Sequence, residues 1–76
     1  MKPYILIHIA FSEERKRIQE DLKHKTNRHK YLFRLYDDEG ELYYEGLSVK
    51  NNSFYPLDEE QPNSSVTEIH YFNNGK

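Results

Sequence analysis

Tyr31-Leu32-Phe33-Arg34-Leu35-Tyr36 runs into Asp37-Asp38-Glu39-Gly40 and returns as Glu41-Leu42-Tyr43-Tyr44-Glu45-Gly46-Leu47. Two aromatic-rich alternating segments flank a polar turn that ends in glycine, which is the pattern of a β-hairpin. The expected connection is a four-residue loop on a type I turn, with Gly40 at positive φ. Pairing Leu35 with Leu42 and Phe33 with Tyr44 gives one apolar face of Tyr31, Phe33, Leu35, Leu42 and Tyr44. The opposite face then holds Leu32, Arg34, Tyr36, Glu41, Tyr43 and Glu45. A slip of one residue would set Phe33 against Glu45, so the first register is preferred. Gly46 within the returning strand predicts a bulge.

Upstream, Tyr4-Ile5-Leu6-Ile7-His8-Ile9-Ala10-Phe11 reads as a strand whose two faces are both apolar, which predicts a central position. Ser12 is the expected N-cap, and Glu13 and Glu14 suit the start of a helix reaching about Lys25. Its apolar stripe is narrow, Ile18 and Leu22, with Glu13–Arg17 and Gln19–Lys23 on the exposed side. Residues 25–30 form a basic connection into the hairpin. Downstream, residues 50–65 carry Pro56, Pro62 and several Asn and Ser, so they read as a long irregular stretch pinned by Phe54, Tyr55 and Leu57. Val66-Thr67-Glu68-Ile69-His70-Tyr71-Phe72 is a last strand, and Asn73-Asn74-Gly75 resembles a turn without a return strand. The fold class is α+β, one helix on a mostly antiparallel sheet of about four strands, as a single domain over residues 1–76.

The chain is 76 residues long, with 36% hydrophobic and 32% charged residues and no cysteine. Leu, Ile, Val and Phe number 18, above the roughly 20% below which charged chains stay disordered. Mean hydropathy is −1.05. A domain this small usually needs a disulfide, a metal or a partner. Absence of cysteine removes disulfides and thiolate zinc sites, which favours a partner or self-association. The longest apolar run, Tyr4 to Phe11, is too short to span a membrane, where about 20 residues are required. No membrane contact is expected, Met1 reads as a genuine start, and a cytoplasmic location follows. Charge is divided: residues 1–36 hold nine Lys/Arg and four Asp/Glu, residues 37–76 two and nine.

Catalytic and metal chemistry find little support. The four histidines lack ligand spacing: His24 and His29 read as solvated cations, and His8 and His70 would meet only if their strands paired. Asp37-Asp38-Glu39-Gly40-Glu41 fails the EF-hand register, because Gly40 at the sixth position would make Leu35 the first ligand. The serines lack a nucleophile-elbow pattern, and the three glycines form no phosphate loop. A pocket of about 300 Å³ or more is hard to build in so short a chain. No metal, cofactor or enzymatic activity is expected.

Two binding surfaces remain. Tyr36, Asp37, Asp38, Glu39, Glu41, Tyr43 and Glu45 would form an acidic, tyrosine-rich face suited to a larger protein or protein complex, since tyrosine buries a large rigid ring at low entropic cost. Spread carboxylates can also imitate a phosphate backbone and block a nucleic-acid-processing complex. Alternatively, Arg15, Lys16, Lys23, Lys25, Arg28, Lys30 and Arg34, with Tyr31 and Phe33 interleaved, would contact nucleic acid. A structural homo-oligomer is a third expectation. In size and lack of catalytic equipment the chain resembles the small accessory proteins of phages and mobile elements, several of which block host defence; this likeness of class rests on no motif and transfers no residue.

Overall fold

A computed structural model describes residues 2–10 and 15–72. The elements are β1 (Tyr4–Ile9), α1 (Arg15–Leu22), β2 (Tyr31–Asp37), β3 (Leu42–Ser48), α2 (Tyr55–Glu60), a 3-10 turn (Gln61–Asn63) and β4 (Val66–Phe72). The four strands form one sheet in the order β1-β3-β2-β4, with every neighbouring pair antiparallel. The fold is α+β, as the strand and helix patterns indicate. β1 and β2 are parallel with β3 between them, and β3 and β4 are parallel with β2 between them. Two split βαβ units are thus interleaved. No helix among the described residues is long and apolar enough to cross a membrane.

Both helices cover the same face of the sheet. There Leu6, Ile9, Phe33, Leu35, Tyr44 and Val66 form the buried core, against which Ile18 of α1 and Leu57 of α2 pack. Among the described residues the opposite face carries no helix. Along it Leu32, Arg34, Tyr36, Glu45 and Leu47 are partly exposed, and His8, Glu68 and His70 are exposed.

Several local expectations are corrected. β1 lies at an edge rather than at the centre. Its apolar pattern covers both faces because Ile5 and Leu6, which point opposite ways, are both fully buried. The hairpin register is shifted by two: Leu35 pairs with Tyr44 and Phe33 with Gly46. An extra residue, Tyr43, is accommodated between Leu35–Tyr44 and Tyr36–Leu42. Tyr43 therefore packs against the core, while Leu42 joins Tyr36 on the helix-free face. The extra residue of β3 is Tyr43 and not Gly46, which pairs with Phe33 without a shift; on the other side of β3 an extra residue of β1 falls between the pairs Leu6–Gly46 and His8–Glu45. Gly46 answers a different need: a Cβ there would lie 2.6 Å from Cζ of Phe33 and would meet the carbonyl of Ile5. The turn holds as read, with Gly40 at φ 81° and its N–H donating to the Asp37 carbonyl at 3.1 Å.

The helix ends at Leu22 instead of continuing to Lys25, and Leu22 is 47% exposed. The inward seam of α1 is Ile18 with Asp21, not Ile18 with Leu22. The expected cap at Ser12, the charges at Glu13 and Glu14, the strand residue Phe11 and the turn at residues 73–75 lie outside the described residues. The stretch read as irregular contains α2, opened by Pro56 within its first turn, where a missing N–H costs nothing. Phe54 and Tyr55 are exposed there, and the inward residues are Pro56, Leu57 and Glu60.

Candidate partner-binding surfaces

The acidic set is brought together only in part. At the hairpin tip Asp37 is 8% exposed. Its Oδ1 accepts from the N–H groups of Glu39 and Glu41, both at 2.9 Å. Asp37 N–H donates to the Glu41 carbonyl at 3.0 Å. This residue is therefore turn scaffolding rather than contact surface, a use of aspartate that local backbone bonding favours. Asp38, Glu39 and Glu41 are exposed around it, and none of their carboxylates has a partner among the described residues. Tyr43 turns inward, away from this group. Tyr36 and Glu45 lie on the helix-free face, further along the sheet.

Glu45 is not a free anion. Its Oε2 accepts from Arg34 Nε at 2.6 Å, so one member of the acidic set neutralises one member of the basic set across β2 and β3. The Arg34 guanidinium also stands 4.8 Å from the centre of the Phe72 ring, a cation–π distance. Tyr36 meets the His70 ring edge to face at 5.0 Å, and His70 lies 3.9 Å from Glu68.

The basic set is divided among three places. Arg15 and Lys16 begin α1. Lys23, Lys25, Arg28 and Lys30 gather where β1 and β2 begin and β3 finishes. Arg34 stands mid-sheet on the other face. Lys23 pairs with Glu20 at 3.0 Å in place of the expected Gln19. Phe33 is fully buried and unavailable for stacking on a base. His29, expected in solvent, is 3% exposed: Nδ1 accepts the Thr26 N–H at 2.9 Å, so Nε2 carries the proton and donates to the Lys2 carbonyl at 2.7 Å. His8 and His70 are on opposite edges of the sheet and do not meet. Among the described residues no three His, Asp or Glu side chains converge as metal ligands.

Sequence reasoning misses a buried polar knot between the helices and β1. Glu60, 1% exposed, accepts through Oε2 from the Tyr4 hydroxyl at 2.5 Å and from Arg17. Its Oε1 is buried without a partner among the described residues. Burial, followed by the hydrogen bond and charge of Glu60, pushes the Tyr4 phenol far above its ordinary range. Beside this knot Asp21 accepts from Lys2 Nζ at 2.7 Å and from the Leu6 N–H at 2.8 Å. Lys2, Tyr4, Arg17, Asp21, Tyr55 and Glu59 line an open groove of about 490 Å³, and a second of about 330 Å³ adjoins it beside Pro3, Ser48 and Pro56. The chain thus has more concave volume than its length suggests. Lys2, Arg17 and Asp21, however, are committed to partners within the fold. Neither Asp21 nor Glu60 carries a sequence signal, because carboxylates on short helices read as solvent-facing.

No protein-family model matches the chain, and no curated protein or solved structure is significantly similar to it.

Proposed function

We propose that this chain is a non-catalytic binding module whose rigid acidic hairpin tip docks onto a basic surface of a larger protein. The supporting observation is the buried Asp37 carboxylate, which fixes the backbone at Glu39 and Glu41. It holds Asp38, Glu39 and Glu41 outward before any partner arrives. Preorganised charge speeds encounter and loses little freedom on binding. Tyr36 supplies the adjoining aromatic contact. In this proposal the basic surface belongs to a nucleic-acid-processing complex in the cytoplasm, and the carboxylates stand in for phosphates, so binding is inhibitory.

The test is affinity capture from the native cell followed by mass spectrometry, alongside a variant with Asp38, Glu39 and Glu41 changed to lysine. Loss of the captured partner with the variant is expected; unchanged capture would remove the tip from the proposal. A gel-shift titration with short DNA and RNA at low salt should give no complex. Tight, salt-sensitive complexes would instead assign the function to Lys23, Lys25, Arg28 and Lys30.

A further inference from the structure

We infer that β4 is a self-association edge, across which two copies of the chain pair β4 with β4 antiparallel and form one continuous eight-stranded sheet. Among the described residues only β2 pairs with β4, leaving its other side without a neighbour. The direction of the free groups follows from the ladder. Val49 N–H donates to the Pro3 carbonyl, and Ala10 N–H to that of Tyr43. Odd-numbered residues of β3 therefore serve β1, and even-numbered ones serve β2. Alternation across β2 then directs Arg34 and Leu32 to His70 and Phe72. Ile69 and Tyr71 are left with N–H and C=O groups pointing away from the sheet.

The strand lacks the devices that blunt an edge. It contains no proline and no lysine, and its one irregularity, at Thr67, lies near the start. Its residues are mostly β-branched or aromatic.

Overlap and the match of Glu68 with His70, an ion pair when the imidazole is protonated, select the register. With Ile69 facing Ile69 of the second copy, all seven residues of each strand overlap. Glu68 of each copy then stands opposite His70 of the other, on the helix-free face. Centring the pair on Tyr71 or Thr67 shortens the overlap and loses this match. The groups facing the pair from β2 are Arg34 and Tyr36, and Arg34 is already neutralised by Glu45.

Sedimentation velocity from low micromolar to millimolar concentration tests the inference. The chain is expected to dimerise reversibly. Ile69→Pro, which removes an outward N–H together with a side chain packed against the core, should be monomeric. With the imidazole protonated, Glu68→Lys should weaken the dimer about tenfold, since two favourable cross-strand pairs become repulsive, and adding His70→Glu should restore it. A monomer throughout, a dimer that survives Ile69→Pro, or no restoration by the double change would each overturn the inference. Hydrogen exchange on the unaltered chain reads the same edge without a substitution. The Ile69 and Tyr71 amides should slow as concentration rises, and exchange independent of concentration would overturn it.

Discussion

The two edges of the sheet are handled in opposite ways. At β1 the chain spends side chains on closure: Pro3 precedes the strand without a donor, an irregularity falls between Leu6 and His8, and Asp21 of α1 reaches over to accept the Leu6 N–H at 2.8 Å. Lys2 completes that contact at 2.7 Å, and the Tyr4–Glu60–Arg17 knot ties the start of the strand to both helices. At β4 the side chains turn to the faces of the sheet, Tyr71 to the Ser53 carbonyl at 2.7 Å and His70 towards Tyr36, and among the described residues no strand pairs with the outer edge. A polar group within a packed protein is thus placed where a backbone donor needs it. One edge is covered by side chains, and the other is the edge across which we propose that a second copy pairs.

The largest effect should come from forcing β1 away from β3. Gly46→Ala sets a methyl against the Phe33 ring and the Ile5 carbonyl, and about 3 kcal/mol of stability should be lost in denaturant unfolding. A loss below about 1 kcal/mol would mean that β1 lifts freely and that its closure is not structural.

Asp21→Ala should cost about 2 kcal/mol, because a buried charged acceptor is removed and the Leu6 N–H is left without its partner. Exchange at the Leu6 amide should quicken far more than at Phe33, in mid-sheet. Equal acceleration at both would show a global effect and not the opening of one edge.

The knot beside this edge makes stability depend on alkali. The folded-state pKa of Tyr4 is raised above its unfolded value of 10.0. The stability it contributes is complete below about pH 10 and falls as pH rises further, because the unfolded chain ionises first. Burial also raises Tyr71, against hydrogen bonds to Ser48 and Ser53 that lower it, so it adds to the same fall. Denaturant midpoints measured from about pH 9 to about pH 11 should decline, and Tyr4→Phe should make the decline shallower. An unchanged slope would detach Tyr4 from the effect.

The smallest effect is expected at the bare edge. Thr67→Lys should change monomer stability by no more than about 0.5 kcal/mol, since Thr67 is exposed and supports no contact in the core. A large loss there would show that the second edge is closed after all.

How much of this was legible depends on how local the cause is. Asp37 to Gly40 is readable because turn chemistry acts within four residues. The alternation of Tyr31, Phe33 and Leu35 is readable because its period is that of the strand. The register was not, since Tyr43 and Tyr44 are equally good core residues and only the packed sheet decides that both turn inward. Hydrophobicity on both faces of β1 signals a central strand, whereas Asp21 supplies lateral cover to an edge strand from a helix fifteen residues later. Glu60 becomes a buried acceptor only when Tyr4 and Arg17, from two other elements, converge on it. Of the acidic surface, Asp38, Glu39 and Glu41 were identifiable from sequence; the inward turn of Tyr43 and the pairing of Glu45 with Arg34 required the strands to be in place.

The opposed ends of the sheet have one more consequence. Lysines and an arginine stand where β1 and β2 begin, interspersed with Glu20, Asp21, Glu59 and Glu60, whereas Asp38, Glu39 and Glu41 at the hairpin tip are exposed carboxylates, so charge is uneven along the strands and a single copy aligns as it nears a charged body. Two copies related by a two-fold axis across β4 set those asymmetries in opposite senses along the strands, and much of the long-range orientation cancels. Self-association would thereby quieten the approach to a charged target while leaving each acidic tip uncovered, and dilution alone would bring the directed approach back.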